Sequence, residues 1–187
     1  MRVVGGSLRG RTIAAPKSQA IRPTADRLRE SLFNVLIHGY GDPIGDARVL
    51  DLFAGTGALG IEALSRGAAF TLFVDDGAEA RALLRENVAS LGLGGTSKVF
   101  RRDATKLGPA YPVEPFSLAF LDPPYGQKLA EEALASARTG AWFTLDALIV
   151  VEEAVKSAFA APEGFTELER RRYDDTEFVV LRFVTPP

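Results

Sequence analysis

The stretch Asp51-Leu52-Phe53-Ala54-Gly55-Thr56-Gly57-Ala58-Leu59-Gly60 runs from an apolar strand through a glycine-rich turn into the start of a helix. Glycines in such a turn let the backbone approach a ligand closely. In an open α/β sheet the carboxyl ends of the strands form the usual binding edge. These ten residues therefore predict a parallel sheet with a ligand at its C-terminal edge.

The flanking sequence alternates in the same way. Downstream, strands are expected at 70–75, 98–101, 117–122 and 148–152, with helices at 58–66, 78–90 and near 127–138. Ala82, Leu83 and Val88 are the expected apolar positions of the second of these helices. Two late strands, near 165–173 and 177–184, face each other across Asp174-Asp175 and read as an antiparallel hairpin. Upstream, Arg2-Val3-Val4 and Arg11-Thr12-Ile13 flank Gly5, Gly6 and Gly10 as a small hairpin. A loop is expected at 16–23. A helix then starts at or after Thr24, a suitable N-cap, with Leu28, Leu32 and Val35 or Leu36 inward. The fold class is α/β and Rossmann-like, with a seven-stranded mixed sheet, a C-terminal antiparallel hairpin and an N-terminal hairpin-helix extension. Residues 1–45 are expected to form that extension and 46–187 the main domain.

Gly55-x-Gly57-x-x-Gly60 formally fits a dinucleotide fingerprint, but Asp51 argues against one. A carboxylate at the strand end repels a pyrophosphate and attracts an ammonium or sulfonium. S-adenosylmethionine carries both. Asp75 ends the next strand, where a carboxylate can accept bonds from ribose hydroxyls. Asp103 follows the third strand, within reach of an adenine amino group. The candidate cofactor residues are Asp51, Phe53, Ala54, Gly55, Thr56, Gly57, Gly60, Asp75, Asp103 and Ala104. No Gly-Lys-Ser or Gly-Lys-Thr follows the glycines, so a Walker-type phosphate loop is excluded.

Asp122-Pro123-Pro124-Tyr125 follows the fourth strand. Two prolines make a rigid turn and remove two donors. The Asp122 carboxylate and the Pro123 carbonyl then converge as acceptors, which suits the paired N–H donors of an exocyclic amino group. Tyr125 offers a face on which a base can stack. Asp122, Pro123, Pro124 and Tyr125 are the candidate catalytic residues for direct methyl transfer to nitrogen. Asp122 either takes the released proton or only orients the amino group.

Composition limits the remaining possibilities. The chain has 187 residues, no cysteine and one histidine, His38, so disulfides and a metal cluster are not expected. No apolar run reaches bilayer length, and the N-terminus lacks the apolar core of a signal peptide. A cytoplasmic monomer with no membrane contact is expected. Net charge is −2, but residues 1–29 hold seven bases and one acid, while the rest holds 15 bases and 23 acids. A basic head on an acidic body suggests a surface for phosphates.

At this point the chain resembles the bacterial 16S ribosomal RNA guanine-N2 methyltransferases of the RsmD type over nearly its whole length. The cofactor turn and the Asp-Pro-Pro-Tyr turn are common to many amino-methyltransferases. The more specific stretches are Arg2-Val3-Val4-Gly5-Gly6, Arg9-Gly10-Arg11, the run from Arg22-Pro23-Thr24 to Asn34, and Gly60-Ile61-Glu62-Ala63-Leu64-Ser65-Arg66-Gly67-Ala68. The resemblance implies a guanine acceptor, guanine 966, in an assembled or assembling small subunit, with ribosomal proteins as part of the recognised surface. It implies that Arg22, Thr24 and Arg27 lie beside the active site. The candidate RNA-binding set is Arg2, Arg9, Arg11, Arg22, Thr24, Arg27 and Arg29. The chain departs from the family in carrying Asp75 where glutamate is usual, and Asp174 where glycine is expected after Arg172-Tyr173.

Three rival readings remain. A DNA adenine-N6 methyltransferase would normally need a separate base-reading domain. A protein glutamine methyltransferase would place label in protein. A non-enzymatic RNA-binding assembly factor would need a broken cofactor site.

Overall fold

A computed structural model describes residues 1–17 and 25–184. The elements run α1 (Asp26–Gly39), β1 (Arg48–Leu52), α2 (Ala58–Ser65), β2 (Phe70–Val74), α3 (Ala78–Ser90), β3 (Ser97–Phe100), β4 (Phe116–Leu121), α4 (Leu129–Thr139), β5 (Phe143–Ala154), β6 (Phe165–Tyr173) and β7 (Thr176–Phe183). The seven strands form one sheet in the order β3-β2-β1-β4-β5-β7-β6. The first five are parallel, and the β6–β7 hairpin joins β5 antiparallel through β7. The expected mixed sheet is therefore present.

Sequence pattern explains the layers. Alternate strand residues point to opposite faces. Val49, Phe73, Leu118, Phe120, Leu148 and Val150 belong to one core layer, with α1, α2 and the N-terminal residues Val3 and Ile13. Leu50, Leu52, Leu72, Val74, Ala119, Leu121, Ile149 and Val151 belong to the other, with α4 and Trp142. The central strands are thus near-continuous apolar runs because both faces are covered.

The N-terminal hairpin is reduced to one antiparallel bridge, Arg2 with Thr12, closed by Val3 N–H to the Arg11 carbonyl at 2.9 Å. It docks on the far end of α2. Glu62, fully buried, accepts from the Val4 and Gly5 N–H groups at 3.0 and 2.8 Å and from Arg66 Nε at 2.9 Å. Ser65 Oγ accepts from Leu8 N–H at 2.9 Å and donates to the Gly5 carbonyl at 2.6 Å.

Three details differ from expectation. In α3 the fully buried positions are Ala80, Leu84 and Asn87; of the expected apolar positions Val88 packs against the same core, Leu83 is half-buried and Ala82 is exposed. The i, i+4, i+7 stripe ends on a buried asparagine, which apolarity alone does not reveal. The fifth strand begins at Phe143 rather than 148. Phe143 packs against Phe165 and Phe183, and the strand then shifts register between Phe116 and Leu118 of β4, past Asp146 at φ 64°. The polar Thr144 to Asp146 segment hid this start. Finally, α1 has Ala25 at its N-cap; Thr24 and part of the 16–23 loop lie outside the described residues. In the β6–β7 turn, Asp174 takes φ 52°, the left-handed region that glycine enters without a Cβ penalty.

Candidate active site

Strands β2, β1 and β4 lie side by side, and chain order reverses direction across the sheet at β1. The turns at their carboxyl ends therefore open onto one crevice. A cavity of about 630 Å³ lies there. Its wall takes Asp51, Phe53, Ala54, Gly55 and Thr56 from the β1 turn, Asp75 from the β2 end, and Asp122, Pro123, Pro124 and Tyr125 from the β4 end. The two motifs found in sequence thus face one space.

The β1 turn is tightly wound. Phe53 has φ 57°, unusual for an aromatic residue, and Gly55 and Gly57 follow at φ 59° and 83°. Non-glycine residues in this region store strain, which functional turns tolerate when their surroundings hold them. Here the holding bonds are Ala54 N–H to the Val74 carbonyl (3.1 Å) and Gly55 N–H to Asp75 Oδ2 (3.0 Å). Gly57 and Gly60 do not line the cavity. They let α2 sit close beneath it: a Cβ on Gly60 would stand 2.5 Å from Phe73 Cε1 and 2.9 Å from Asp51 Oδ2.

Asp51 is 1% exposed and accepts from Gly60 N–H at 2.9 Å. Among the described residues no salt bridge reaches it. Burial pushes its carboxyl well above the usual range; the Gly60 bond opposes this and the Asp75 charge adds to it. A buried acid beside a cavity, lacking a described cation, fits a ligand that brings its own ammonium. Asp75 is partly committed, accepting from Gly55 and from Gly77 N–H at 2.8 Å, yet each carboxylate oxygen retains acceptor capacity.

At the β4 end, Tyr125 is half-buried. Its hydroxyl donates to Glu152 Oε1 at 2.8 Å and lies 3.2 Å from Thr176 Oγ1. Burial raises the phenol well above its usual range, and the Glu152 charge adds to that, so it remains a donor.

Several expected residues lie elsewhere. Asp103 caps a short 3-10 turn: its Oδ1 accepts from Thr105 N–H at 2.9 Å and Thr105 Oγ1 at 2.7 Å, which lowers its pKa, and it does not line the cavity. A local side-chain turn has taken the carboxylate. Ala104 is buried in the α4-side core. Arg29 is not available to RNA. It is 0% exposed, bonds the Arg2 carbonyl and Asp26 (2.9 Å), and stands 3.9 Å from Glu62. Arg2, Arg9, Arg11 and Arg27 are exposed. Arg11 bonds the Ser90 carbonyl at the last turn of α3, a helix length from that helix's cavity end. Arg22 and Thr24 lie outside the described residues.

The sequence reading missed the second half of the wall, Ala58, Leu59 and residues 76–80. The Asp75-Asp76-Gly77 run before α3 was the available signal. It also missed Asn87, which is buried and joins two regions. Its Nδ2 donates to the Thr56 carbonyl at 2.9 Å, and its Oδ1 accepts from Ala14 N–H at 2.7 Å.

Comparison with known proteins identifies the family of the chain. Residues 1–182 match the family model described as Conserved hypothetical protein 95. The chain is similar to ribosomal RNA small subunit methyltransferase D of Escherichia coli K12, with 39% identity over 173 residues, 92% of this chain and 84% of that protein. It is similar to the protein of that name from Haemophilus influenzae, with 33% identity over 91% of this chain and 88% of that protein. The solved structure of yhhF from Escherichia coli superposes with a TM-score of 0.83 at 32% identity, covering 98% of each chain.

Proposed function

Since the chain belongs to the Conserved hypothetical protein 95 family, that of ribosomal RNA small subunit methyltransferase D, we propose that it methylates 16S ribosomal RNA from S-adenosylmethionine. The acceptor in this reading is the exocyclic N2 of guanine 966. The observation that carries it is the shared cavity. The Asp51–Thr56 turn, the Asp75 carboxylate and the Asp122–Tyr125 turn line one space.

Asp51 would hold the cofactor's ammonium group, and Asp75 its ribose hydroxyls. The bound cofactor supplies an electrophilic methyl group. The chain's own residues supply position and charge. The Asp122 carboxylate and the Pro123 carbonyl accept from the amino N–H groups and fix the nitrogen in place. Their negative ends face the nitrogen on which positive charge develops. Asp122 either receives the proton shed afterwards or leaves it to solvent. Tyr125 presents its ring to the base.

The exposed Arg2, Arg9, Arg11 and Arg27, with Arg22 and Thr24, serve as the RNA-facing set of the 1–45 extension, and residues 46–187 form the transferase domain. Arg11 sits a helix length from the cavity edge, so the RNA contacts extend over several nucleotides around the target; in this reading the substrate is an assembled or assembling small subunit with its neighbouring proteins, in the cytoplasm.

The test is transfer of labelled methyl to unmodified small subunits, bare ribosomal RNA, DNA and mixed protein, followed by nucleoside analysis. N2-methylguanosine at one small-subunit position is expected. Label confined to DNA or protein overturns the substrate. Asp122→Ala is expected to bind cofactor as the wild type does and to lose at least about 100-fold in kcat; near-normal turnover would remove its assigned role.

A further inference from the structure

Behind the Asp122–Tyr125 turn lie acids that the transfer step itself does not use. Glu152 and Glu153 are consecutive on β5 and each is 1% exposed. They serve different parts of the turn. Glu153 Oε1 accepts from Gly126 N–H at 3.2 Å, Ala154 N–H at 2.8 Å and Ser157 Oγ at 3.0 Å, which holds the chain after the turn. Glu152 Oε1 accepts from the Tyr125 hydroxyl at 2.8 Å. Thr176, at the start of β7, stands 3.2 Å from that hydroxyl and pairs in register with Ala154 of β5.

Burying a carboxylate is unfavourable unless strong bonds compensate. A hydroxyl donor to a carboxylate is a strong one. The tip of the Tyr125 ring is therefore tied to two strands of the sheet, while its ring borders the open cavity.

Resting on the methyl-transfer reading, we propose that Glu152 is a positioning residue that fixes the axis and position of the Tyr125 ring before the acceptor base arrives, with Thr176 as the second tether. A ring hinged only at its Cα–Cβ and Cβ–Cγ bonds samples several orientations, and a base stacked on it shares that spread. A ring whose hydroxyl is held cannot swing about Cα–Cβ, so a base stacked on it keeps one position and its amino nitrogen meets the Asp122 and Pro123 acceptors in one geometry. Small losses of alignment cost catalysis more than binding. The tether requires an acceptor at Oε1, not a charge, so glutamine should replace glutamate and alanine should not.

The test uses the full chain with Glu152→Gln, Glu152→Ala and Thr176→Val, each in wild-type and Tyr125→Phe backgrounds. The readouts are kcat and KM on unmodified small subunits, cofactor Kd, and ring signals of carbon-13-labelled tyrosine in the free protein. Expected for Glu152→Ala is a kcat loss of about tenfold or more with unchanged cofactor Kd, rescue to within about threefold by Glu152→Gln, and no further loss once Tyr125 is phenylalanine. The Tyr125 ring signal should change in Glu152→Ala and persist in Glu152→Gln. Additive losses in the phenylalanine background, a parallel fall in cofactor affinity, or an unaltered ring signal in Glu152→Ala overturns the proposal. Should Glu152→Ala not fold, Thr176→Val carries the same two readouts. A wild-type chain that leaves subunits unmethylated sinks the substrate reading, and the ring signal then decides the role of Glu152 by itself.

Discussion

Two buried carboxylates meet helix α2, Asp51 of β1 beneath Gly60 and the helix's own Glu62, and the two are built in opposite ways. At the cavity end, Asp51 meets the Gly60 N–H, and its pKa rises. At the far end, Glu62 is equally buried but is met by two backbone N–H groups and by Arg66, with Arg29 at 3.9 Å. Among the described residues one site is left short of positive charge, while the other is met by cations and N–H groups. The difference teaches how to separate a candidate ligand site from a structural one around a single helix. A buried acid that the protein itself neutralises is holding the chain together. A buried acid that it does not neutralise is waiting for a charge from outside.

The contrast can be broken most forcefully at Glu62. Glu62→Ala leaves the Arg29 guanidinium buried without a full set of partners and orphans two N–H groups. Unfolding in denaturant should show a loss of about 3–5 kcal/mol. Cofactor affinity of the remaining folded fraction should be unchanged; a selective loss of cofactor binding would erase the distinction.

Asp51→Asn should behave in reverse. Cofactor affinity should fall by about 1.5–3 kcal/mol, the range for a bond to a charged group, as read by calorimetry. The empty protein should keep or gain stability. The pH dependence has a definite sign. The folded Asp51 has the higher pKa, so the folded state holds more protons between the ordinary carboxylate value and the raised one. Stability of the empty protein should therefore fall as pH rises through that window, and Asp51→Asn should remove this contribution. A pH profile identical in the wild type and Asp51→Asn would contradict the raised value.

Arginines of the head sharpen the same comparison. Arg9→Ala with Arg27→Ala removes two exposed cations and should weaken binding to unmodified subunits, lowering the salt slope by about one for each phosphate no longer neutralised, with folding intact. Arg29→Ala should instead lower stability, because its charge is spent inside. Salt titrations that treat the three arginines alike would refute this division.

The smallest effect is expected at Asp174. Its φ of 52° suits glycine, so Asp174→Gly should raise stability by up to about 1 kcal/mol, less the extra freedom glycine has when unfolded. A melting curve checks it.

Both turns of the site were legible in the sequence, because each is a local run whose chemistry is written in adjacent residues. The alternation of strands and helices was legible for a similar reason, since apolar runs such as Val49–Leu52 have to be covered on both faces. What escaped depends on partners far along the chain. Arg29 looked like one more solvent-facing base because Glu62 lies 33 positions away. Asn87 gave no signal because its partners, Thr56 and Ala14, lie far along the chain. Glu152 sat inside an expected strand and gave no sign that its carboxylate would receive Tyr125. Asp103 lies outside the cavity wall for the opposite reason. Its competitor, Thr105, is only two residues on, but a short capping turn leaves little trace in a pattern of strand ends.

Helix α2 is eight residues long, and every one of them is buried. It works like a short key with teeth cut at both ends: Gly60 faces Asp51, while Glu62 and Ser65 face the N-terminal hairpin. Each residue added or removed would turn one set of teeth by roughly 100° against the other and slide it by about 1.5 Å. The count of residues between Asp51 and Ser65 cannot change without unlocking either the glycine turn or the head. Differences in length among proteins built this way should collect instead in open loops such as Gly92–Thr96, where added Cβ atoms on Gly92, Gly94 and Gly95 would meet nothing.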